Sequence, residues 1–353
     1  MVSSGERVFV AMSGGVDSSL AAALLVEQGF DVTGVMLHLW AEEENRCCAP
    51  QAVEDARAVA EQLGIDFSLV DYEAEFKACV VDYFVAEYSR GRTPNPCLAC
   101  NRQIRFGRLL RHVQDLGADR MATGHYACIE RVDGAYRLRK GADPQKDQSY
   151  VLYMLGQEEL RRLSFPVGSF TKEQVREMAR ERGLPVADRE ESMEICFVTD
   201  DDYRRFLREH APQSMRPGLI FDVTGKEIGQ HKGLPGYTVG QRRGLGIAAP
   251  EALYVQRLDV ARNALIVGTA GELGQRVLLA DGVSYTIGEP PDSPVRVEAK
   301  IRYKARLADA TWMPLEGKRA RVTFDEPLRD ITPGQAVVAY QGDLVLGGGI
   351  ISG

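Results

Sequence analysis

The chain has 353 residues, of which 44% are hydrophobic and 26% charged, and its formal net charge is −7. This length predicts two or three domains, because a single core rarely grows that large. No apolar run reaches the roughly eighteen residues that a membrane span needs, and the start, MVSSGERVFVAMSGG, lacks a signal-peptide pattern. We therefore expect a cytoplasmic protein without a membrane partner, and the acidic charge argues mildly against a general polyanion binder.

The N-terminal part alternates strand patterns with helix patterns. Strands are predicted at residues 7–12, 31–40, 65–72 and 118–124. Helices are predicted from a cap at Asp17 or Ser18 to Gly29, at 50–63, through about Arg90, from near Asn101, and at 171–183 behind a Thr171/Gln174 capping box. This alternation predicts an α/β fold with a parallel sheet covered on both faces, and such sheets bind ligands at the carboxyl ends of their strands.

The C-terminal part has a different texture. Glycine and proline become dense after about residue 205, and short strand patterns follow at 254–260, 264–268, 295–303, 320–325, 336–343 and 344–351. Short, regularly spaced strands predict small β domains, the last of them a β-barrel. We expect domains at residues 1–205, 206–272 and 273–353.

A glycine-rich loop follows the first strand. The segment MSGGVDSS lies at a strand-to-helix turn, where glycines let backbone N–H groups approach a phosphate and the helix N-terminus adds positive potential. It has no Walker lysine. The loop resembles the SGGxDS pyrophosphate loop of enzymes that split ATP between its α and β phosphates. That resemblance implies an adenine nucleotide α-hydrolase-like domain, with Asp17 as a Mg²⁺ ligand; the alternative is a plain Gly-Gly turn.

Two cysteines stand in the stiff segment PNPCLACN. Cys100 is expected at the N-terminus of the helix that starts near Asn101, beside Arg102 and Arg105, where a thiolate is stabilised. Taken alone, Cys97-x-x-Cys100 permits half a zinc site, a dithiol redox pair or iron–sulfur ligands. Four further cysteines are expected to be structural or incidental: Cys47, Cys48, Cys79 and Cys128. Cys196 is not in this group.

Longer motifs resemble the tRNA-specific 2-thiouridylases along nearly the whole chain. They are NPCLACNRQIRFG, SMEICFV, ATGHYA, KDQSYVLY, GQHKGLPGYTVGQRRGLGI, KIRYK and PGQAVV. The resemblance implies an ATP-dependent tRNA sulfurtransferase, which adenylates the C2 oxygen of the wobble uridine and replaces that oxygen with sulfur. It implies ATP and Mg²⁺ as cofactors, and as partners tRNA and a sulfur donor, which is a cysteine desulfurase, a relay protein or free sulfide.

The resemblance also implies roles for individual residues. Cys100 would be the nucleophile and Cys196 the carrier of sulfur as a persulfide. ATP would contact Ala11, Met12, Ser13, Gly14, Gly15, Val16, Asp17, Ser18, Leu37 and Gly124. The target uridine would contact Asn95, Pro96 and Cys97, and the rest of the tRNA His125, Lys146, Asp147, Gln148, Arg302, Tyr303 and Gln335.

Cys97 departs from one well-known version of the family motif, which has aspartate at this position. Two interpretations stay open. In one, Cys97 is a bystander beside a persulfide and disulfide cycle of Cys100 and Cys196. In the other, all three cysteines hold a [4Fe-4S] cluster whose fourth iron binds the sulfide.

Basic residues form two candidate RNA surfaces. Lys300, Arg302, Lys304 and Arg306 recur with period two, which predicts one basic strand face. Arg102, Arg105, Arg108 and Arg111 form a helical stripe that fits a solvated face equally well. Two competing functions remain: a pyrophosphate-loop ATPase that adenylates a small metabolite, and a noncatalytic iron–sulfur or RNA-binding module.

Overall fold

A computed structural model describes residues 5–42, 50–189 and 195–352. An α/β part is followed by β parts, as the sequence predicts, so the expected fold class is confirmed. Cys47, Cys48 and the first residues of SMEICFV lie outside the described residues. Within the described ranges, no helix combines the length and apolar character of a membrane span.

The N-terminal sheet is parallel, with strand order β3-β2-β1-β4-β7. Its strands are β1 Arg7–Met12, β2 Asp31–His38, β3 Asp66–Asp71, β4 Arg120–Thr123 and β7 Leu163–Ser164; the hairpin strands β5 Ala127–Val132 and β6 Ala135–Lys140 fall between β4 and β7 in the chain. On one face of the sheet, Val8 and Val10 pack in a core cluster with the helix Val16–Glu27. On the other face, Phe9 packs in a second cluster with the helices after β3. Both faces of the sheet are therefore covered, as expected.

The helices of this part are as follows: α1 Val16–Glu27; α2 Pro50–Leu63; α3 over residues 73–89, with a π-helical turn at Lys77–Val81; α4 over residues 96–115, with a π-helical segment at Asn101–Leu109; α5 Gln157–Arg161; α6 Lys172–Glu181; α7 Tyr203–His210. The capping box of α6 is confirmed, because Thr171 N–H donates to Gln174 Oε1 at 2.8 Å and Gln174 N–H donates to Thr171 Oγ1 at 3.3 Å.

Two expected helix starts are wrong. Helix α1 begins at Val16 behind Gly15 and has no side-chain cap; the Ser18 hydroxyl donates back to the Gly15 carbonyl at 3.2 Å. Helix α4 begins at Pro96 rather than near Asn101. Its cap is Asn95, whose Oδ1 accepts the Cys97 N–H at 3.0 Å, and a proline in the first helical position needs no N–H partner.

The β parts form a small sheet and a closed barrel. The small sheet has the order β10-β11-β8-β9, with β8 Gly218–Phe221, β9 Glu227–His231, β10 Leu253–Asp259 and β11 Ala264–Thr269. The barrel consists of β12 Gln275–Tyr285, β13 Val295–Lys300, β14 Ala308–Leu315, β15 Arg319–Leu328, β16 Ala336–Gln341 and β17 Leu344–Ile351. It closes because β12 pairs with both β15 and β17.

The hairpin of β5 and β6 joins the barrel sheet, which the sequence analysis missed. Strand β6 pairs with β17 at Arg139 and Leu344, and the Lys140 N–H donates to the Asp343 carbonyl at 2.9 Å. The largest apolar cluster also crosses this boundary, since it contains Leu138 and Tyr150 together with Tyr340 and Val345 of the barrel. The α/β part and the barrel thus share a sheet and a core.

Candidate nucleotide and thiol site

The glycine-rich loop is tightly folded at the carboxyl end of β1. Ser13 N–H donates to Ser18 Oγ at 3.1 Å, and the Ser19 hydroxyl donates to the Gly15 carbonyl at 3.0 Å. Gly14 has φ +69°, and a Cβ there would lie 2.4 Å from the Ala52 carbonyl oxygen. This loop leads into the first turn of α1, where backbone N–H groups have no partner within the helix and are free to bind a phosphate.

The other residues expected to contact ATP surround this loop. Gly124, just past β4, approaches it so closely that a Cβ would lie 2.6 Å from Ser18 N and 2.7 Å from the Asp17 carbonyl carbon. Leu37 follows Met36, which is paired with Met12 of β1. The structure therefore brings the expected ATP residues together at the carboxyl edge of neighbouring strands, where a parallel sheet binds its ligands.

Asp17 meets a lysine that the sequence analysis missed. Lys172 Nζ donates to both carboxylate oxygens of Asp17, at 2.7 and 2.9 Å, and the Tyr126 hydroxyl donates to Asp17 Oδ1 at 2.7 Å. The Lys172 side chain is only 10% exposed and that of Asp17 30%. A buried ammonium thus stands beside the phosphate loop, and its partner is the carboxylate expected to bind Mg²⁺.

Arg189 ties the loop to the segment that leads toward Cys196. Its Nη1 donates to the Gly14 carbonyl at 2.9 Å and pairs with the Asp55 carboxylate of α2. Arg176 of α6 in turn donates to the Arg189 carbonyl at 3.1 Å. The backbone of the phosphate loop is therefore fixed by groups from distant parts of the chain.

Two of the cysteines lie on α4, and the third packs against the large apolar cluster to which this helix contributes. Cys97 is exposed in the first turn of this helix, and Cys100 follows three residues later on the same face, 8% exposed. Cys196 is half-buried and packs against the apolar cluster that contains Cys100. The expectation that Cys100 lies at the helix N-terminus is therefore wrong: Cys97 lies there, and Cys100 is one turn inside the helix.

The donor set of these cysteines suits an iron–sulfur cluster, because three thiolates are the ligands that such clusters prefer. Among the described residues, potential single-ion ligands within 4.8 Å of one another occur at His38, Asp71 and Glu73 alone, and all three lie at the surface or close to it. A cluster spreads its thiolates over separate irons, farther apart than the ligands of one ion. The three cysteines, all within the described ranges, do not form a single-ion group of this kind.

Several residues expected to bind tRNA face inward. His125 is 8% exposed, packs against the rings of Phe106 and Phe165, and has Nδ1 2.7 Å from the Thr123 hydroxyl. Burial lowers the pKa of His125 to about 3, with a smaller contribution from Arg105. The ring is therefore neutral at pH 7.

Residues expected to bind tRNA near position 147 and in the barrel also make contacts inside the protein. Asp147 is buried and accepts from the backbone N–H groups of Gly141 and Ser149 at 3.0 and 3.1 Å. Gln148 Oε1 accepts from the Tyr126 N–H at 2.9 Å. Tyr303 lies with its ring 6.1 Å from that of Tyr150. The hydrogen bonds fix the segment within the α/β part, and the contact of Tyr150 with Tyr303 joins it to the barrel; Lys146, the preceding residue, is half-buried.

The prediction that residues 300–306 form a strand with one basic face is wrong about the backbone. Strand β13 ends at Lys300, and the following residues form bends and turns. Burial lowers the pKa of Lys300, whose Nζ lies 5.7 Å from the Tyr303 ring centroid, and Arg302 pairs with Asp330. Exposure still alternates, with Lys304 and Arg306 in solvent, because Tyr303 and Leu307 pack against the core.

A parallel sheet with a glycine-rich loop, followed by two β units, defines a nucleotide-binding domain of HUP type with β-barrel appendages. Family models match all three parts: residues 6–200 match the tRNA methyl transferase HUP domain, 204–269 its PRC-barrel domain, and 275–351 the aminomethyltransferase beta-barrel domain. These descriptions agree with the fold.

Full-length relatives identify the family. The chain is 50% identical over 368 residues to the tRNA-specific 2-thiouridylase MnmA of Roseiflexus castenholzii, covering 98% of this chain and 99% of that protein. It is 53% identical over 351 residues to that of Moorella thermoacetica, covering 97% and 98%. The chain belongs to the tRNA-specific 2-thiouridylase family, whose members are tRNA sulfurtransferases. The resemblance seen in its motifs is therefore confirmed.

Solved structures are more distant. The tRNA thiolase NcsA from Methanococcus maripaludis, solved with its [4Fe-4S] cluster, is 20% identical and superposes with a TM-score of 0.37 over 59% of this chain and 65% of that one. This likeness is too distant to support an inference about cofactor or mechanism.

Proposed function

We propose that this enzyme catalyses the ATP-dependent 2-thiolation of the wobble uridine of tRNA. The observation that carries the proposal is that the domain with the phosphate loop also holds Cys100 inside a large apolar cluster and Cys196 packed against that cluster. The family models name methyl transfer, whereas the relatives are named for thiolation. Thiols from distant parts of the chain are what a sulfur transfer requires, and they have no role in the adenylation of a small metabolite.

The first step activates the uridine. The C2 oxygen attacks the α-phosphorus of ATP, and pyrophosphate leaves from the loop at residues 13–18. Mg²⁺ enters as part of the ATP substrate, and Asp17 is the carboxylate proposed to hold it. Lys172, whose ammonium binds the same carboxylate, lies beside the loop proposed to hold the phosphates, where its charge would offset that of the departing pyrophosphate.

The second step transfers sulfur. The terminal sulfur of a Cys196 persulfide bonds to C2 of the activated uridine, and AMP leaves. The Cys100 thiolate then bonds to the Cys196 sulfur, and the bond to the transferred sulfur breaks. A Cys100–Cys196 disulfide remains, which a dithiol reductant must reduce before the next turnover. The donor of this persulfide sulfur is proposed to be a cysteine desulfurase or a relay protein, whereas free sulfide is the donor proposed for the second route, on a cluster.

A second route is favoured by the position of Cys97, which lies on the same face of α4 as Cys100. Together with Cys196 these residues would hold a [4Fe-4S] cluster. When bound, the cluster would supply an iron that binds sulfide. Cys97, in the first helical turn, would then be a ligand of the cluster rather than a bystander.

RNA would approach the seam between the α/β part and the barrel. The exposed Lys304 and Arg306 lie beside Tyr303, and Arg302 and Gln335 are proposed RNA contacts on the same part of the barrel. We also propose domain limits after residues 205 and 272; helix α7 spans the first limit and β strands follow it, while the second limit lies just before β12. A tRNA substrate implies a cytoplasmic location.

Thionucleoside formation under oxygen-free conditions tests both routes. Cluster-reconstituted enzyme with added sulfide, and persulfide-loaded, metal-free enzyme, are each given ATP, Mg²⁺ and unmodified tRNA, and thiouridine is measured by mass spectrometry. Cys100→Ser and Cys196→Ser are expected to abolish product, whereas the control Cys128→Ser, on β5, keeps it. Thiouridine formed by Cys100→Ser or by Cys196→Ser would overturn the proposal. A Cys97→Ser enzyme that works when persulfide-loaded supports the first route, and activity confined to reconstituted enzyme supports the second.

A further inference from the structure

A turn of the barrel binds the segment that enters α4. Thr93, two residues before the cap Asn95, donates its N–H to the Pro333 carbonyl at 2.8 Å. Gln335 Nε2 donates to the Thr93 carbonyl, also at 2.8 Å. Both backbone polar groups of Thr93 are thus held by one turn that lies far along the chain.

This turn is itself rigid. The Gly334 N–H donates to the Ile351 carbonyl at 2.9 Å, and the Ile351 N–H donates to the Gln335 carbonyl at 2.8 Å, so the turn is fixed to the last strand of the barrel. Gly334 has φ +95°, and a Cβ there would lie 2.8 Å from Thr93 N. The close approach to Thr93 therefore depends on glycine at this position.

The central sheet domain supplies a second anchor. Thr93 Oγ1 donates to Thr238 Oγ1 at 3.3 Å. The neighbouring Arg92 donates from Nη2 to the Ile351 carbonyl at 3.3 Å. All three parts of the chain thus converge on the residues that lead into the cysteine-bearing helix.

We propose that Gln335 is a positioning residue for sulfur transfer: through Thr93 and the Asn95 cap it holds the first turn of α4, and with it Cys97 and Cys100, in place. The inference rests on the proposed function, in which Cys100 is the nucleophile. It gives the barrel a role in shaping the thiol site in addition to any contact with RNA.

The physical reason is the exposure of the helix end. The first turn of a helix is stabilised mainly by its cap, and it opens locally when the chain leading into it is released. Loss of one neutral hydrogen bond raises the population of an open state about five-fold. Because Cys100 is 8% exposed, its reaction with a neutral alkylating agent reports this opening directly.

The test compares Gln335→Glu with the matched control Gln341→Glu. Glutamate keeps the shape of Gln335 but offers an acceptor where a donor is needed, whereas Gln341 is an exposed barrel residue that lies against Arg296 rather than Thr93. Iodoacetamide labelling of Cys100 is measured by peptide mass spectrometry on the full chain without ATP or tRNA. We expect labelling to be about five-fold faster in Gln335→Glu and unchanged in Gln341→Glu.

Thiolation kinetics separate this role from an RNA contact. A positioning role predicts a lower kcat at saturating tRNA, whereas the RNA contact proposed above for the same residue would raise the KM for tRNA; both are measured at a salt concentration that keeps tRNA binding saturable. Wild-type labelling of Cys100 together with weaker tRNA binding would overturn the proposal, as would equal labelling in both variants. If Gln335→Glu unfolds at the assay temperature, Gln335→Met, which has no N–H donor, is measured against the same expectations. Labelling needs no turnover, so it decides the positioning role even if thiolation is absent.

Discussion

Replacing Gly124 with alanine should damage the phosphate loop more than the fold. The new Cβ would lie 2.6 Å from Ser18 N, whereas ordinary contact begins at 3.4 Å, so the strand end or the loop must move by several tenths of an ångström. Overpacking of this kind costs about 1–3 kcal/mol of unfolding free energy. A misplacement approaching 1 Å costs up to about 100-fold in rate, so a shift about half as large should lower turnover about ten-fold.

The assay is tRNA-dependent pyrophosphate release as a function of ATP concentration, alongside urea unfolding. Gly271→Ala is the control, because Gly271 is exposed and a Cβ there meets no atom within 4 Å. We expect kcat/KM for ATP to fall about ten-fold in Gly124→Ala alone. Pyrophosphate release at the wild-type rate in a folded Gly124→Ala enzyme would refute the placement of ATP at this loop.

Two further predictions concern buried ionisable groups. Lys172→Met should lower the unfolding free energy by about 2 kcal/mol, because it leaves the Asp17 carboxylate with fewer partners. It should also abolish pyrophosphate release. Wild-type kinetics in Lys172→Arg would contradict the claim that the site requires an ammonium group at this position. His125 has a pKa of about 3 when folded, so the unfolded chain binds a proton first and stability falls as pH drops from about 6.5 toward 3. His125→Phe should remove about 2 kcal/mol of the loss between pH 7 and pH 5, measured by urea unfolding of both proteins.

Local patterns carried much of the fold. The strand and helix alternation, the glycine-rich loop and the Thr171 capping box are each encoded within a few neighbouring residues, and each is found where the sequence places it. The start of α4 was readable too, since Asn95 followed by Pro96 is a typical cap and first helical position. It was missed because the prolines were interpreted as a loop.

The hairpin of β5 and β6 also left a signal. Its turn is Asp133-Gly134, with φ values of +50° and +85°, a pair typical of tight two-residue hairpins. Other features had no local signal. Lys172 lies 155 residues from Asp17, and nothing near either residue predicts their ion pair. Basic residues spaced by two predicted a strand past Lys300, but the same spacing arises in turns whose apolar residues face a core.

The sheet shared by β6 and the barrel has a consequence for how this chain can be divided. A fragment that ends near residue 272 would keep β6 while losing its neighbour β17, and would expose an unpaired strand edge together with Leu138 and Tyr150, which are fully buried in the whole protein. Such edges recruit other chains and promote aggregation. We therefore expect the N-terminal part, although a nucleotide-binding domain by architecture, to aggregate when it is produced without the barrel.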